Sequence, residues 1–192
     1  MKRIMFVCTG NICRSAMAEK MLKKKAEEFK LDIEVYSCGV AANRGEHSTE
    51  YAIEVMRERG INLKQHRATD ITDSNIQEMD LILCATGEHK VKVINSYPEL
   101  RKNVFTIKEY AGETADGLNI QDPWGYGKIE YEKCAEELEK CIDKIIEKEI
   151  EYTKQKFGDE AQEKWKDRRM YNSDRCDSLA ICEQSSARGL PM

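Results

Sequence analysis

The chain of 192 residues is 41% apolar and 34% charged, and its formal net charge is −4. Its length and apolar content support one globular domain with a full core, whereas the negative charge argues against a nucleic-acid binder that works by bulk electrostatics. No run of about 18 apolar residues occurs and the first predicted strand starts at the N-terminus, so we expect neither a membrane span nor a signal peptide.

Strand-like and helix-like segments alternate along the first 150 residues. Short apolar runs predict strands at 2–7, 33–37, 80–85 and 103–107, and helical periodicity predicts helices from Arg14, from Ser48 or Thr49 to Gly60, from 89 to 97 and from about Lys128. This alternation predicts an α/β fold, a four-stranded parallel sheet with helices on both faces. The ligand site of such a fold lies beyond the carboxyl ends of its strands.

Residues 8–13, Cys-Thr-Gly-Asn-Ile-Cys, join the first predicted strand to the first helix and are called the anion loop. Such a loop directs backbone N–H groups and the positive end of a helix dipole at one point, where an oxyanion such as phosphate fits. Gly10 and Asn11 tolerate the left-handed backbone that a tight loop needs. Arg14 adds a planar fork that holds two oxygens.

Cys8 is the candidate nucleophile of this loop. A cysteine beside a helix N-terminus and a cation is stabilised as the thiolate. A Cys-x5-Arg match by itself also occurs by chance around a buried cysteine. The preceding strand, the following helix and the Gly-Asn pair favour the anion site.

A second motif, Asp122-Pro123-Trp124-Gly125, precedes the last predicted helix. A carboxyl group there suits proton transfer to a leaving oxygen, and Trp124 and Tyr126 suit the walls of a slot for a flat side chain. The alternative is a plain surface turn, because Asp-Pro followed by Gly is common in turns. His66 also has two interpretations: it orients a catalytic loop, or it lies at the surface.

With Cys8-x5-Arg14-Ser15 near the start and Asp122-Pro123 before the last helix, the sequence closely resembles the low-molecular-weight protein tyrosine phosphatases from about residue 2 to 150. The resemblance implies a flavodoxin-like three-layer sandwich and phosphoryl transfer without metal or cofactor. Cys8 would attack phosphorus while Asp122 protonates the leaving oxygen, and Asp122 would then activate water.

The resemblance also implies roles for the rest of the loop. The phosphate-binding residues would be Thr9, Gly10, Asn11, Ile12, Cys13, Arg14 and Ser15, and the substrate slot would lie between Ile12, Trp124 and Tyr126. Ser15 would hydrogen-bond the Cys8 sulfur, and Asn11 would hold the loop in shape. Cys13 would form a reversible disulfide with Cys8 under peroxide, unless it serves only in packing.

The kind of phosphorylated side chain is the open part of this interpretation. Ala85-Thr86, His89-Lys90 and residues 105–110 resemble a bacterial branch that includes protein arginine phosphatases, in which threonine usually stands where this chain has Ile12. The larger Ile12 resembles tyrosine-directed members. We therefore expect phosphotyrosine in proteins or peptides as substrate, with phosphoarginine as the alternative.

Other functions are less consistent with the sequence. Arsenate reductases of this fold relay oxidation through two further cysteines, but after Cys84 no cysteine follows before Cys134. A non-catalytic phosphate-binding module would be expected to lack Cys8 or Asp122. The eight cysteines are scattered without zinc-ligand spacing, so we expect a reduced, cytoplasmic protein that binds neither nucleic acid nor membrane, with its oligomeric state left open.

The last part of the chain lies outside the resemblance. We predict a phosphatase domain at 1–150 and a charged extension at 151–192 that is partly helical or disordered.

Overall fold

The computed structural model describes residues 1–157. The strands are β1 (Lys2–Cys8), β2 (Ile33–Gly39), β3 (Leu81–Cys84) and β4 (Val104–Thr106). The helices are α1 (Arg14–Glu28), α2 (Glu50–Glu58), α3 (Gly87–Ser96), α4 (Ile107–Ala111) and α5 (Lys128–Phe157), with short 3-10 turns at 71–73, 76–78 and 98–100.

The four strands form one parallel sheet in the order β2-β1-β3-β4. The register aligns Cys8 of β1 with Gly39 of β2 and Val7 with Cys84 of β3. All four carboxyl ends therefore meet at one edge, where the anion loop leaves β1. The predicted parallel sheet is confirmed.

Alternate side chains of the strands enter two separate layers, as the period of a strand requires. Met5 and Val7 belong to a cluster that also contains Val93 of α3 and Ile76 of a 3-10 turn. No residue of α1 or α5 belongs to that cluster, and these two helices are joined by an ion pair between Lys25 and Asp143. Helices thus cover both faces of the sheet, as predicted.

Helix α1 starts at Arg14, directly after the anion loop, and packs against β1 and β2. Its buried residues include Met17, Ala18, Met21, Leu22 and Ala26, the face that the 3.6-residue period predicts. Because this apolar face fixes the axis of the helix on the sheet, its N-terminus is held at the carboxyl edge.

The fourth strand is shorter than predicted, and a helix missing from the sequence prediction follows it. Ile107 begins α4 and is not part of β4. The Thr106 hydroxyl accepts from the N–H of Glu109 at 3.0 Å, and the Glu109 carboxylate accepts from the N–H of Thr106 at 3.1 Å. This reciprocal capping box outweighs the strand propensity of the apolar run.

The chain divides into two units, the first of which is residues 1–148 and the second of which starts at Glu149. Of the second unit, residues 149–157 are the last part of α5. The rest of the predicted extension, 158–192, lies outside the described residues. Within residues 1–157, no helix has the length and apolar character needed to cross a membrane.

Candidate active site

The anion loop is held by its carbonyl groups, which accept hydrogen bonds from neighbouring loops. The carbonyl of Cys8 accepts from Val40 N (2.9 Å), that of Thr9 from Ala41 N (3.0 Å), that of Ile12 from Thr49 N (3.2 Å) and that of Asn11 from His66 Nε2 (2.7 Å). Among residues 1–157, no group accepts a hydrogen bond from the backbone N–H groups of residues 9–13. The loop thus presents a set of unused donors, which is the arrangement an oxyanion requires.

Asn11 fixes the backbone at the centre of this loop. Its φ of 55° is left-handed, a conformation that asparagine tolerates better than most residues. The buried amide donates to Ser15 Oγ at 2.9 Å and to Ser37 Oγ at 2.8 Å, and its oxygen accepts from Thr69 N at 2.9 Å. Both N–H groups and the oxygen of the amide are therefore hydrogen-bonded to the frame around the loop.

Gly39 closes the frame from the neighbouring strand. A Cβ atom at this position would lie 2.4 Å from the carbonyl oxygen of Thr9 and 2.9 Å from the nitrogen of Asn11. Because a carbon atom does not fit at those distances, only glycine lets the end of β2 pack directly against the loop.

Cys8 is buried at the end of β1, with its sulfur 2.9 Å from Ser15 Oγ. Ser15 lies in the first turn of α1, so the thiol faces both a hydroxyl and the positive end of a helix.

Arg14 and Asp122 face each other at the same place. The buried guanidinium donates from Nη2 to Asp122 Oδ2 at 2.5 Å and from Nη1 to the carbonyl of Ile120 at 3.3 Å, while its Nε has no hydrogen-bond partner among the described residues. Asp122 is about half exposed and also accepts from Trp124 N at 3.2 Å. The pair therefore combines a cation buried in the protein with an acid open to solvent.

These groups share a cleft of about 290 Å³ at the carboxyl edge of the sheet. Its lining residues are Cys8, Thr9, Gly10, Ile12, Cys13, Arg14, Ala41, Asn43, Glu46, Asp122 and Trp124. The side chains of Asn11 and Ser15 are buried behind this wall and do not line it. Of the three residues predicted to wall a substrate slot, Ile12 and Trp124 line this cleft, whereas Tyr126 is exposed and is not part of the lining.

A family model described as low molecular weight phosphotyrosine protein phosphatase matches residues 3–156. The chain belongs to this family. It is accordingly a protein phosphatase, a hydrolase whose substrates are phosphorylated proteins.

Relatives of this phosphatase act on two kinds of side chain according to their names. A protein-arginine-phosphatase of Bacillus subtilis (strain 168) is 38% identical over 140 residues, which cover 72% of this chain and 91% of the relative. The crystal structure of a low molecular weight protein tyrosine phosphatase from T. tengcongensis is 40% identical with a TM-score of 0.73, covering 77% of this chain and 99% of that one. A structure of a YwlE arginine phosphatase mutant with a phosphorylated active-site serine is 34% identical with a TM-score of 0.72, covering 76% and 94%.

His66 of the phosphatase is buried, which decides between the two interpretations of this residue. It donates to the Asn11 carbonyl, and its other ring nitrogen lies 3.9 Å from the Glu19 carboxylate. Burial lowers the pKa of His66, so the imidazole is neutral at pH 7. Burial opposes ionisation of Glu19, but hydrogen bonds from Lys23 and Ser37 outweigh it and lower the pKa of that carboxyl.

Cys13 lines the cleft as a protected thiol. Its sulfur lies 3.4 Å from Thr49 Oγ1 and 3.5 Å from the Tyr131 hydroxyl, and burial raises its pKa. The second cysteine of the anion loop is therefore neutral under ordinary conditions.

Cys84, the candidate relay cysteine of the arsenate reductase alternative, is not at the site. It is fully buried in β3 within the cluster that contains Met5 and Val93, and burial raises its pKa. All six free cysteines in residues 1–157 are buried. No exposed thiol in that range is available for an oxidation relay.

Sequence reasoning gave no role at the site to His89, Thr86, Glu46 or Asn43. His89 is buried, with Nε2 2.9 Å from Thr9 Oγ1 and Nδ1 2.7 Å from Thr86 Oγ1. The signal was present as Thr86-x-x-His89, a helix cap placed directly after a predicted strand. Glu46 and Asn43 lie in an irregular loop, for which no periodicity gives a direction.

Proposed function

We propose that the phosphatase hydrolyses phosphotyrosine in proteins through a phosphocysteine intermediate on Cys8. The observation that carries the proposal is the shared cleft, in which the Cys8 thiol, the Arg14 guanidinium and the Asp122 carboxyl group face one space. The N–H groups of residues 9–13 and the guanidinium would bind the three phosphoryl oxygens, where negative charge collects in the transition state.

In the first step, the Cys8 thiolate attacks phosphorus in line with the leaving oxygen. The S–P bond forms as the P–O bond to the tyrosine oxygen breaks, and Asp122 gives its proton to that oxygen. The Ser15 hydroxyl, 2.9 Å from the sulfur, supports the thiolate before the attack.

In the second step, the Asp122 carboxylate takes a proton from water as the water attacks phosphorus. The P–O bond to water forms, the S–P bond breaks, and inorganic phosphate leaves with Cys8 again a thiolate. The related YwlE mutant whose active-site serine is phosphorylated supports a covalent intermediate at the nucleophile position.

Phosphotyrosine is the favoured substrate because of the walls of the slot. Ile12 is half-buried, and Trp124 is 64% exposed and lines the same cleft. An apolar wall and a largely exposed aromatic ring suit stacking against a phenyl ring.

Phosphoarginine is the second candidate, on one specific observation. Glu46 lines the cleft, and its carboxylate accepts from the Asn43 amide at 3.0 Å. A carboxylate suits the N–H groups of a phosphorylated guanidine and contributes nothing to a phenyl ring. The Bacillus subtilis relative is named as an arginine phosphatase.

The two substrates are distinguished by steady-state hydrolysis of a phosphotyrosine peptide and a phosphoarginine peptide of otherwise identical sequence, without added metal. We expect a higher kcat/KM for phosphotyrosine. Ile12→Thr should lower that preference, whereas Ile12→Val, which keeps the apolar wall, should retain it. If instead kcat/KM is higher for phosphoarginine, and Glu46→Gln lowers it, the substrate is phosphoarginine, the second candidate.

We further propose that Cys13 protects Cys8 from over-oxidation by forming a disulfide with it. Both thiols line the cleft. Peroxide oxidises the Cys8 thiolate to a sulfenic acid, and the Cys13 thiol displaces water from it to form the S–S bond. After peroxide treatment, dithiothreitol should restore activity to the wild type and much less to Cys13→Ser.

A reducing compartment such as the cytoplasm is the proposed location, because the six free thiols of residues 1–157, Cys8 among them, persist where disulfides do not form. We propose residues 1–150 as the phosphatase domain and 151–192 as an accessory extension.

A further inference from the structure

A chain of three polar side chains connects the start of α3 with the anion loop. Thr86 caps α3, its hydroxyl oxygen accepting from the backbone N–H of His89 at 3.3 Å. The same oxygen lies 2.7 Å from His89 Nδ1, and His89 Nε2 lies 2.9 Å from Thr9 Oγ1. Thr9 is exposed and lines the cleft beside Cys8.

His89 is a neutral imidazole in this chain. It is 5% exposed, and burial lowers its pKa to about 4, with the positive charges of Arg14 and Lys92 acting in the same direction. A neutral imidazole carries one N–H donor and one acceptor nitrogen, so the two hydroxyls cannot both donate to it or both accept from it.

The direction of the hydrogen bonds between Thr86, His89 and Thr9 follows from which hydroxyl proton has an acceptor inside the protein. If Nε2 accepted from Thr9, then Nδ1 would donate to Thr86, and the Thr86 proton would have no acceptor among the described residues. If instead Thr86 donates to Nδ1 and Nε2 donates to Thr9, the Thr86 hydroxyl and the imidazole N–H both have acceptors within the protein. The Thr9 hydroxyl proton then points into the cleft, where an oxyanion accepts it.

We propose that the Thr9 hydroxyl is a catalytic donor to the phosphoryl group and that His89 is the positioning residue that directs its proton there. This assignment rests on the proposed function, since it requires the phosphoryl group to bind beside Cys8. It adds one charge-assisted side-chain hydrogen bond to those of the backbone N–H groups and Arg14.

The competing interpretation gives the chain a purely structural role, with Thr86 and His89 fixing the start of α3. That role also predicts lower activity when His89 is replaced. It does not predict that the effect of replacing His89 depends on the Thr9 hydroxyl, so a double-mutant cycle separates the two.

The test measures kcat, KM and the inhibition constant of inorganic phosphate for Thr9→Val, His89→Asn and the double variant. We expect each single variant to lose about tenfold to a hundredfold in kcat/KM and to bind phosphate more weakly, as the loss of a hydrogen bond to a charged group implies. In the Thr9→Val background, His89→Asn should change kcat/KM by less than about threefold, because the hydroxyl it directs is already absent.

Two conservative variants sharpen the test. Thr9→Ser keeps the hydroxyl and should retain most of the activity. His89→Gln places an amide N–H near the position of Nε2, whereas the shorter amide of His89→Asn reaches only the position of Nδ1. His89→Gln should therefore recover much of the kcat/KM that His89→Asn loses. His47→Gln, which replaces an exposed histidine, is the matched control and should leave all constants unchanged.

Independent losses that multiply in the double variant, or full activity of Thr9→Val, would overturn the inference. In either case, an inactive Cys8→Ser variant would show that the proposed function stands even though this inference about Thr9 and His89 does not. An active Cys8→Ser variant would instead remove the nucleophile assignment, and this inference with it.

Discussion

The surroundings of Asp122 suit two roles. It can act as the acid catalyst, or it can serve only as the ion-pair partner of Arg14. Its carboxylate is half exposed, contacts the guanidinium at 2.5 Å and lines the cleft. An acid in this position matters most when the leaving oxygen is strongly basic. A residue that only pairs with Arg14 would affect all substrates alike.

For Asp122→Asn we therefore expect a loss of about 10²–10⁴ in kcat for phenyl phosphate and a much smaller loss for a nitrophenyl phosphate, whose leaving group needs little protonation. The measurement is kcat over a series of aryl phosphates. Asp116→Asn, at an exposed site outside the cleft, is the control. Equal losses across the series would contradict the acid role.

At the residue scale, the sequence indicates the proposed catalytic groups best where they are close together in the chain. Cys8, Arg14 and the left-handed Asn11 lie within seven positions of one another, so their chemistry is readable from a single segment. The contacts of Thr9 with His89 and of Asn11 with His66 join residues 80 and 55 positions apart. No local pattern indicates such contacts, and the proximity of Tyr126 to Trp124 in the sequence does not place both rings in the lining of this cleft.

The end of β2 is the element that most directly constrains the anion loop. Gly39 pairs with Cys8 in the sheet, and it lies so close to the backbone of the anion loop that a Cβ atom would not fit. The Thr9 carbonyl is backbone and has no flexible side chain that can move away. A methyl group at Gly39 must therefore displace the loop or the strand.

For Gly39→Ala we expect kcat/KM to fall at least about tenfold, with a loss of about 1–3 kcal/mol in the free energy of unfolding, as for other overpacked sites. Gly127→Ala is the matched control, since nothing lies within 4 Å of its added Cβ and its φ is not positive. Steady-state kinetics and urea unfolding check both. Full activity in Gly39→Ala would show that the loop is not held by this contact.

At the element scale, periodicity predicted the long elements and missed the short ones. The inward face of α5 carries apolar residues at the helical spacing, all of them buried: Cys134, Leu138, Cys141, Ile142, Ile145 and Ile146. Helix α4 has only five residues, too few for a periodic face, and its capping box of Thr106 and Glu109 was the available signal. The 3-10 turns at 71–73 and 76–78 show no periodicity at all.

The stability of the whole molecule should depend on pH through its buried histidines. Burial lowers the pKa of His66 and takes that of His89 to about 4, below the ordinary value of 6.5. Below pH 6.5 the unfolded chain binds protons that the native fold does not, so the free energy of unfolding falls as pH falls from about 6.5 toward 4.

Between pH 7 and pH 5 we expect His89 to account for a loss of roughly 2 kcal/mol. Urea unfolding across this range should show a shallower pH dependence for His89→Gln than for the wild type. An unchanged slope in His89→Gln would mean that folding does not lower the pKa of His89.

Removal of residues 158–192 tests whether this part of the proposed extension is dispensable for catalysis. The family model matches residues 3–156, and every residue of the cleft lies before position 125. We expect the shortened chain to keep kcat/KM for an aryl phosphate within about twofold, since no group of the cleft is removed. A large loss would assign the extension to the catalytic unit.

At the scale of the whole molecule, the sequence predicted the sheet and both helical layers, because alternating strands and helices admit few arrangements. It did not predict which loops close the cleft. Ala41, Asn43 and Glu46 reach the cleft from the segment after β2. Their place depends on tertiary contacts such as that of the Ala68 N–H with the Glu46 carbonyl at 2.8 Å.

The most direct test of the account is to trap the phosphoenzyme. The wild type, Cys8→Ser and Cys13→Ser would be mixed with a ³²P-labelled phosphotyrosine peptide, quenched within milliseconds and digested, and the labelled peptide identified by mass spectrometry. We predict label on Cys8 in the wild type and in Cys13→Ser, with no turnover by Cys8→Ser. Label on another residue, or turnover by Cys8→Ser, would contradict the assignment of Cys8 as the nucleophile.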